Sequence, residues 1–253
     1  TPITQSSAFN YGTLERGAAI FAGEQPGYRY SRFANPTVAA LEAKMADLEG
    51  APAAVAFASG TAATSSILLS LLKPGDEIAF LGPLYGGTEG LFRTLGERWN
   101  IRPVDATQAG LAASISPATR LIWVETLTNP SLRLHDLPAV AAMAQARGIT
   151  TVADNTFCTP CLTRPLELGI DLVLHSMTKY LGGHGDATGG IVAGKADLVA
   201  AVRKTGLSHV GGNLSPQEAF LFLRGIKTLP LRMAAHCAGA AAVAQFLASR
   251  PAV

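Results

Sequence analysis

Cysteine and charge are both scarce in this chain. Three cysteines in 253 residues, Cys158, Cys161 and Cys237, are too few and odd in number for a disulfide framework, which points to a reducing compartment, the cytoplasm. Charged residues make up 15% and sum to a formal net charge of +2 without a long basic run, so nucleic-acid binding has no electrostatic support. Apolar runs are short, as in "SILLSLL" (66–72). None approaches the ~20 residues of a membrane span, so no membrane partner is expected. Cys158 and Cys161 form a C-x-x-C in "FCTPC", but zinc would normally need a second ligand pair at similar spacing, and the sequence has none. They read as structural or incidental thiols, and no metal is expected. Hydrophobic residues make up 48%, enough for a compact folded protein rather than a disordered one.

What the sequence does have is alternation. "AAVAFAS" (53–59), "EIAFLG" (77–82), "RLIWVET" (120–126), "TTVADN" (150–155), "DLVLHS" (171–176) and "GGIVAG" (189–194) are short apolar runs bounded by turn formers, and they read as buried strands. Helical patterns lie over 37–49, 61–72, 87–98, 135–147 and 195–205, and the chain turns helical again from Ser215. This predicts an α/β fold with a mostly parallel sheet flanked by helices. Residues 1–36 show no strong periodicity and read as an extended arm. In such sheets ligands bind at the carboxyl ends of the strands. The chemically distinctive residues cluster there: Ser59-Gly60-Thr61, Tyr85, Glu125 to Asn129, Asp154-Asn155 and Ser176 to Lys179.

Lys179 stands in "LVLHSMTKYLGGHGDATGG" (172–190), after an apolar run and before a glycine-rich stretch. Three readings compete: a stray surface lysine, a phosphate loop, or a catalytic amine. The Walker pattern G-x-x-x-x-G-K-[ST] is absent, and the dinucleotide pattern G-x-G-x-x-G fails because Thr188 stands where its last glycine belongs. Ser176 and Thr178 could still hold a phosphate. Ser59-Gly60-Thr61 opens a helix and suits an anion, although Ser is also a good N-cap. An unperturbed lysine amine, with a pKa of about 10.4, is a poor nucleophile, but in a dry site or as a Schiff base with an aldehyde it becomes useful. Pyridoxal phosphate chemistry needs such a lysine, a carboxylate for the pyridine nitrogen and a phosphate cradle. Asp154, at the end of the preceding strand, offers the carboxylate. His175 is expected to be buried near a strand end and His184 to shape the loop after Lys179. Neither reads as a metal ligand.

The stretches "GYRYSRFANPT" (27–37), "ASGTAA" (58–63), "LYGGT" (84–88), "ETLTNP" (125–130), "ADNTFCTP" (153–160), "HSMTKYLGGHGD" (175–186), "LSP" (214–216) and "LRGIKTLPLRM" (223–233) run in family order over nearly the whole chain. On these the chain resembles the cysteine/methionine-metabolism family of pyridoxal-phosphate enzymes. The resemblance implies an aspartate-aminotransferase-like, fold type I architecture with pyridoxal 5′-phosphate as cofactor. It implies that Lys179 forms the Schiff base with the cofactor and shuttles protons, that Asp154 pairs with the ring nitrogen, and that Tyr85 stacks on the ring and assists proton transfer. Asn129 would lie near the ring hydroxyl. Gly60, Thr61, Ser176 and Thr178 would hold the phosphate, with Tyr30 and Arg32 reaching it from a neighbouring subunit's arm. Residues 1–36 would then be an intersubunit arm, 37–228 the cofactor-binding domain, and 229–253 the start of a smaller C-terminal domain that is largely missing. The implied assembly is a homo-oligomer, at least a dimer and commonly a tetramer.

The implied substrate is a sulfur amino acid or a homoserine ester. "FAGEQPGYRYSR", "HGD" and "FCTPCLTRPLELG" are similar to methionine γ-lyases, which favours γ-elimination to 2-oxobutyrate, ammonia and a thiol. The chain departs from them at Gly87, where those enzymes typically carry cysteine, and at Ser208-His209, where they typically carry Lys-Asp. Cystathionine γ-lyase activity, and γ-replacement by a cystathionine γ-synthase or O-acylhomoserine sulfhydrylase, therefore stay open. The family's substrate-carboxylate arginine belongs to the smaller domain. A non-catalytic scaffold that binds pyridoxal phosphate is the alternative of another class.

Overall fold

The computed structural model describes residues 1–251. In chain order the elements are α1 (Leu14–Ala22), α2 (Pro36–Glu49), β1 (Ala53–Phe57), α3 (Gly60–Leu71), β2 (Glu77–Phe80), α4 (Gly86–Trp99), β3 (Arg102–Asp105), α5 (Leu111–Ser114) and β4 (Thr119–Glu125). They continue with α6 (Leu137–Gln145), β5 (Thr150–Asp154), α7 (Thr159–Leu162), β6 (Leu172–Ser176), β7 (Gly190–Gly194), α8 (Ala196–Arg203), α9 (Pro216–Ile226) and α10 (Leu229–Ala248). The local signals are simple. Asp136 caps α6 by accepting from the Ala139 N–H at 3.0 Å. The Ser215 hydroxyl caps α9 by accepting from the Glu218 N–H at 3.2 Å and donates to Glu218 Oε2 at 3.0 Å.

Seven strands form one sheet in the order β1-β7-β6-β5-β4-β2-β3. Every pairing is parallel except those of β7, which runs antiparallel to both β1 and β6. The central strands are buried on both faces, which is why they read as continuous apolar runs rather than alternating ones. Phe57, Ile67, Leu68, Phe92 and Trp123 pack the side covered by α3 and α4. Met45, Ala56, Ile191 and Phe222 pack the side covered by α2 and α9. The expected class, a mostly parallel sheet flanked by helices, is what the chain builds.

Three sequence expectations are corrected. The arm is not simply extended: it carries α1, capped by the Thr13 hydroxyl and closed by Gly23 at φ 78°. At nine residues, with Gly17 in its middle, the helix is shorter than the window over which a helical period is read, and only Gly17 and Ile20 are buried on it. β3 was not anticipated. Its sequence, RPVD, is short and polar, and Pro103 fits because β3 is an edge strand pairing only with β2. Finally, α10 is long and apolar enough to cross a membrane by length and composition alone, and it is mostly exposed. Its apolarity comes mainly from alanines spread through "LPLRMAAHCAGAAAVAQFLA", which make no conspicuous run of large side chains.

Candidate active site

β4, β5 and β6 end side by side, and their last residues are Glu125, Asp154 and Ser176. Glu125 is the register partner of Asp154, and Asp154 that of Leu174. β1 runs in the same direction as β6, and Phe57 and Ser176 both flank Gly190 of β7. This brings the start of α3 onto the same edge. The approach is close enough that a Cβ on Gly190 would run into the Ser59 carbonyl, and one on Gly60 would lie 2.9 Å from Ser176 Cβ. Glycine at these two positions is therefore what lets the α3 N-terminus sit against β6. The cleft these ends enclose has a volume of about 610 Å³. Gly60, Thr61, Tyr85, Asn129, Asp154, Ser176, Thr178 and Lys179 all line it.

One end of the cleft is built for an anion. The Ser59 hydroxyl caps α3 by accepting from the Ala62 N–H at 3.0 Å. The N–H groups of Gly60 and Thr61 meet no acceptor among the described residues. Two orphan donors at the positive end of a 12-residue helix, beside the Ser176 hydroxyl, suit a phosphate. Thr178 is differently engaged, since its hydroxyl accepts from the Gly189 N–H at 3.1 Å.

The other end carries a carboxylate. Asp154 Oδ1 accepts from the Thr156 N–H at 3.0 Å and from its hydroxyl at 2.5 Å, and Oδ2 has no partner among the described residues. The Thr156 hydroxyl in turn accepts from the Ser176 N–H at 2.8 Å, tying β5 to β6. Burial pushes the Asp154 carboxyl above the usual carboxylate range, while the Thr156 bonds and nearby His175 pull it back. A buried acid with one oxygen fixed and one open is suited to a cationic N–H. The Lys179 amine lies in the cleft without a carboxylate in ion-pair range among the described residues. Orphan donors for a phosphate, an open carboxylate for a pyridinium, an amine for an aldehyde and the Tyr85 ring together match the functional groups of pyridoxal phosphate.

Tyr30 and Arg32 do not line this cleft. Arg32 donates to the Ser208 carbonyl at 2.8 Å, and Tyr30 is exposed. Cys158 and Cys161 are both free thiols, the first buried and the second exposed. His175 is fully buried, and the His184 ring contacts the Gly182 carbonyl at 2.7 Å. Sequence reasoning missed Thr156 and His236 and gave Glu125 no role. His236 reaches the cleft from α10 with its ring edge-on to Tyr180 at 4.9 Å. Nothing near it in the sequence signals this.

Glu125 is 4% exposed, and burial pushes its carboxyl from 4.5 to about 7. Its folded value lies above its unfolded one, so the stability it contributes is full below pH 4.5 and lost as pH rises through about 7. The cofactor-free protein should therefore lose stability between pH 5 and 8, and Glu125→Gln should flatten that slope. Urea midpoints measured across this range check it, and an equally steep slope in the Gln variant would contradict it.

The family model for Cys/Met metabolism PLP-dependent enzymes matches residues 1–253. The chain is similar to an L-methionine gamma-lyase of Pseudomonas putida, 51% identical over 256 residues that cover all of this chain and 64% of that protein. It is also similar to a cystathionine gamma-synthase of Mycobacterium tuberculosis, 44% identical over 237 residues, covering 91% of this chain and 60% of that protein. The chain thus spans under two thirds of the length of these curated relatives. A Campylobacter jejuni crystal structure holding N′-pyridoxyl-lysine-5′-monophosphate matches with a TM-score of 0.93 at 31% identity, over 99% of this chain and 71% of that one. The fold is that of the fold type I pyridoxal-phosphate enzymes. From first residue to last, the chain belongs to the Cys/Met metabolism family of pyridoxal-phosphate-dependent enzymes.

Proposed function

We propose that this chain is the cofactor-binding part of an enzyme that performs γ-elimination on a sulfur amino acid, giving 2-oxobutyrate, ammonia and a thiol. The observation that carries the reading is the cleft at the strand ends, where an amine, an open buried carboxylate and two orphan helix N–H groups face one volume. Pyridoxal phosphate, when bound, supplies an electron sink for negative charge at the substrate Cα. Gly60, Thr61, Ser176 and Thr178 would hold its phosphate, Asp154 Oδ2 would keep its ring nitrogen protonated, and Asn129 would serve its ring hydroxyl. Tyr85 would cover the ring face and assist proton transfer. Lys179 anchors the cofactor through its amine. With the cofactor bound, the Lys179 Nζ would be the base placed to take the proton from the substrate Cα.

The remaining expectations are proposed with it. Residues 1–36 form an arm that delivers Tyr30 and Arg32 to a neighbouring subunit's phosphate site, which fits their place outside their own cleft. The protein is then a homo-oligomer, a dimer at least and a tetramer in the family's usual form. Residues 37–228 form the cofactor domain and 229–253 begin a second one, for which the exposure of α10 after its first turns gives support. The three unpaired thiols fit a cytoplasmic location. The second reading is γ-replacement. It is favoured by Gly87 in the cleft wall and by the similarity to a cystathionine gamma-synthase.

The test has two parts. Borohydride treatment of the cofactor-loaded protein, followed by peptide mapping, should place a pyridoxyl group on Lys179. Label on Lys44, Lys73 or another lysine, or none at all, would sink the assignment. Methionine, cystathionine and an O-acylhomoserine are then offered with and without a thiol. Release of 2-oxobutyrate without thiol supports elimination, thioether formation that outcompetes it supports replacement, and no turnover by the oligomer points to a scaffold.

A further inference from the structure

Glu125 is a buried carboxylate in the cleft wall that the reading above leaves without work. Its two oxygens are not idle. Oε1 accepts from the Tyr85 backbone N–H at 2.5 Å, and Oε2 accepts from the Asn129 backbone N–H at 3.0 Å. Tyr85 stands at the N-cap position of α4 without a side-chain cap, 40 residues before Glu125, and Asn129 lies in the loop after β4. One carboxylate at the end of a central strand thus ties down two separate segments, each carrying a cleft-lining side chain. The charged groups facing it are Asp154 from β5 and Glu89 from α4, both acidic. A carboxyl buried beside two acidic groups is costly filler, and an apolar residue would fill the same space more cheaply.

Tyr85 needs holding. Its side chain is 51% exposed in the cleft, so packing alone does not fix it. Its ring lies over residue 87, where a Cβ would stand 2.5 Å from Tyr85 Cε1. In this position the ring occupies the space a side chain at residue 87 would take. Its backbone, anchored on Glu125, sets where that ring starts.

We infer that Glu125 is the positioning residue of the site, aligning Tyr85 over the cofactor ring and Asn129 at its edge through their backbone N–H groups. The inference rests on the proposed function, since it assumes the cofactor occupies this cleft. Glu125 touches neither cofactor nor substrate in this role.

A double-mutant cycle on the cofactor-loaded protein tests it, using wild type, Glu125→Gln, Tyr85→Ala and the double variant. The readouts are the visible circular dichroism of the bound cofactor, the cofactor dissociation constant, and kcat and KM. Gln keeps the shape but turns one acceptor into a donor that opposes an N–H. Assayed above about pH 8, where the Glu125 carboxyl is ionised, Glu125→Gln should shrink the visible dichroic band and lower kcat about tenfold, the effect expected from losing one hydrogen bond to a charged group. KM should move much less. In the Tyr85→Ala background the same substitution should add less than about threefold, because the Tyr85 part of its effect is already gone and only the Asn129 part remains. An unchanged band and kcat in Glu125→Gln, or a full tenfold loss repeated without Tyr85, would overturn the inference. Glu125→Asp retains the charge but withdraws it by one methylene. It should show the same pattern, so the result stands even if the Gln variant misfolds. A wild-type protein with no reducible adduct on Lys179 defeats the proposed function itself; an intact adduct with an indifferent Glu125 defeats only this inference.

Discussion

Replacing Lys179 by alanine is expected to remove the borohydride-reducible adduct and to lower turnover by about 10⁴-fold, the upper end of what one positioned acid–base group supplies. The upper end applies because two tasks fall on this amine in the proposed function: it anchors the cofactor, and it moves the Cα proton. Stability should hardly change. The side chain is exposed within the cleft and makes no ion pair among the described residues. The bonds that shape its turn are backbone ones, from Lys179 N–H to the Ser176 carbonyl at 3.2 Å and from Gly183 N–H to the Lys179 carbonyl at 2.8 Å. A substitution that leaves such features alone usually shifts stability by no more than about 0.5 kcal/mol. Cofactor affinity should fall without vanishing, because the α3 N–H groups, Ser176 and Asp154 remain. Absorbance titration, borohydride mapping and steady-state turnover measure the three effects separately. A variant that kept the adduct, or more than a tenth of wild-type turnover, would remove Lys179 from the mechanism.

The residues that assemble the cleft were legible for a physical reason. A strand buried on both faces is apolar until it emerges, so the first polar residue after "TTVA" or "LVLH" marks the carboxyl end where ligands bind. Asp154 and Ser176 announced themselves this way, and Ser59 did so as a helix cap. Glu125 also ends a buried strand and was seen as part of a cluster. Its partners, though, are backbone N–H groups of Tyr85 and Asn129, and a backbone group leaves no mark in composition. α1 escaped notice because it is short and carries Gly17 in its middle, and β3 because an edge strand has no need of an apolar run. The family resemblance gave Tyr30 and Arg32 their meaning, since no local pattern sends a side chain to another subunit. Thr156 sat between two recognised positions, and only folding β5 against β6 shows that its hydroxyl joins Asp154 to the Ser176 backbone.

The pair least visible in sequence should have the largest effect on stability. His175 and Glu49 lie 126 residues apart, yet His175 Nε2 sits 2.6 Å from Glu49 Oε1, and both side chains are fully buried. Asn155 Nδ2 also reaches Glu49 Oε1, at 3.3 Å, and the Thr163 carbonyl at 2.8 Å. His175→Ala would leave Glu49 buried and without its ring partner. Removing one member of such a pair costs about 3–5 kcal/mol. Replacing both members by apolar residues of similar volume is often neutral, because the desolvation cost leaves with the polar groups. Glu49→Met with His175→Leu should therefore return to within about 1–2 kcal/mol of wild type, although each single change is far worse. Asn155 would keep its Thr163 bond throughout. Urea unfolding of all four proteins closes the cycle. If the two single losses simply add in the double variant, the pair is not coupled. If they cancel, the two side chains are coupled, and they join the end of α2 to the end of β6 beside the strand that carries Asp154.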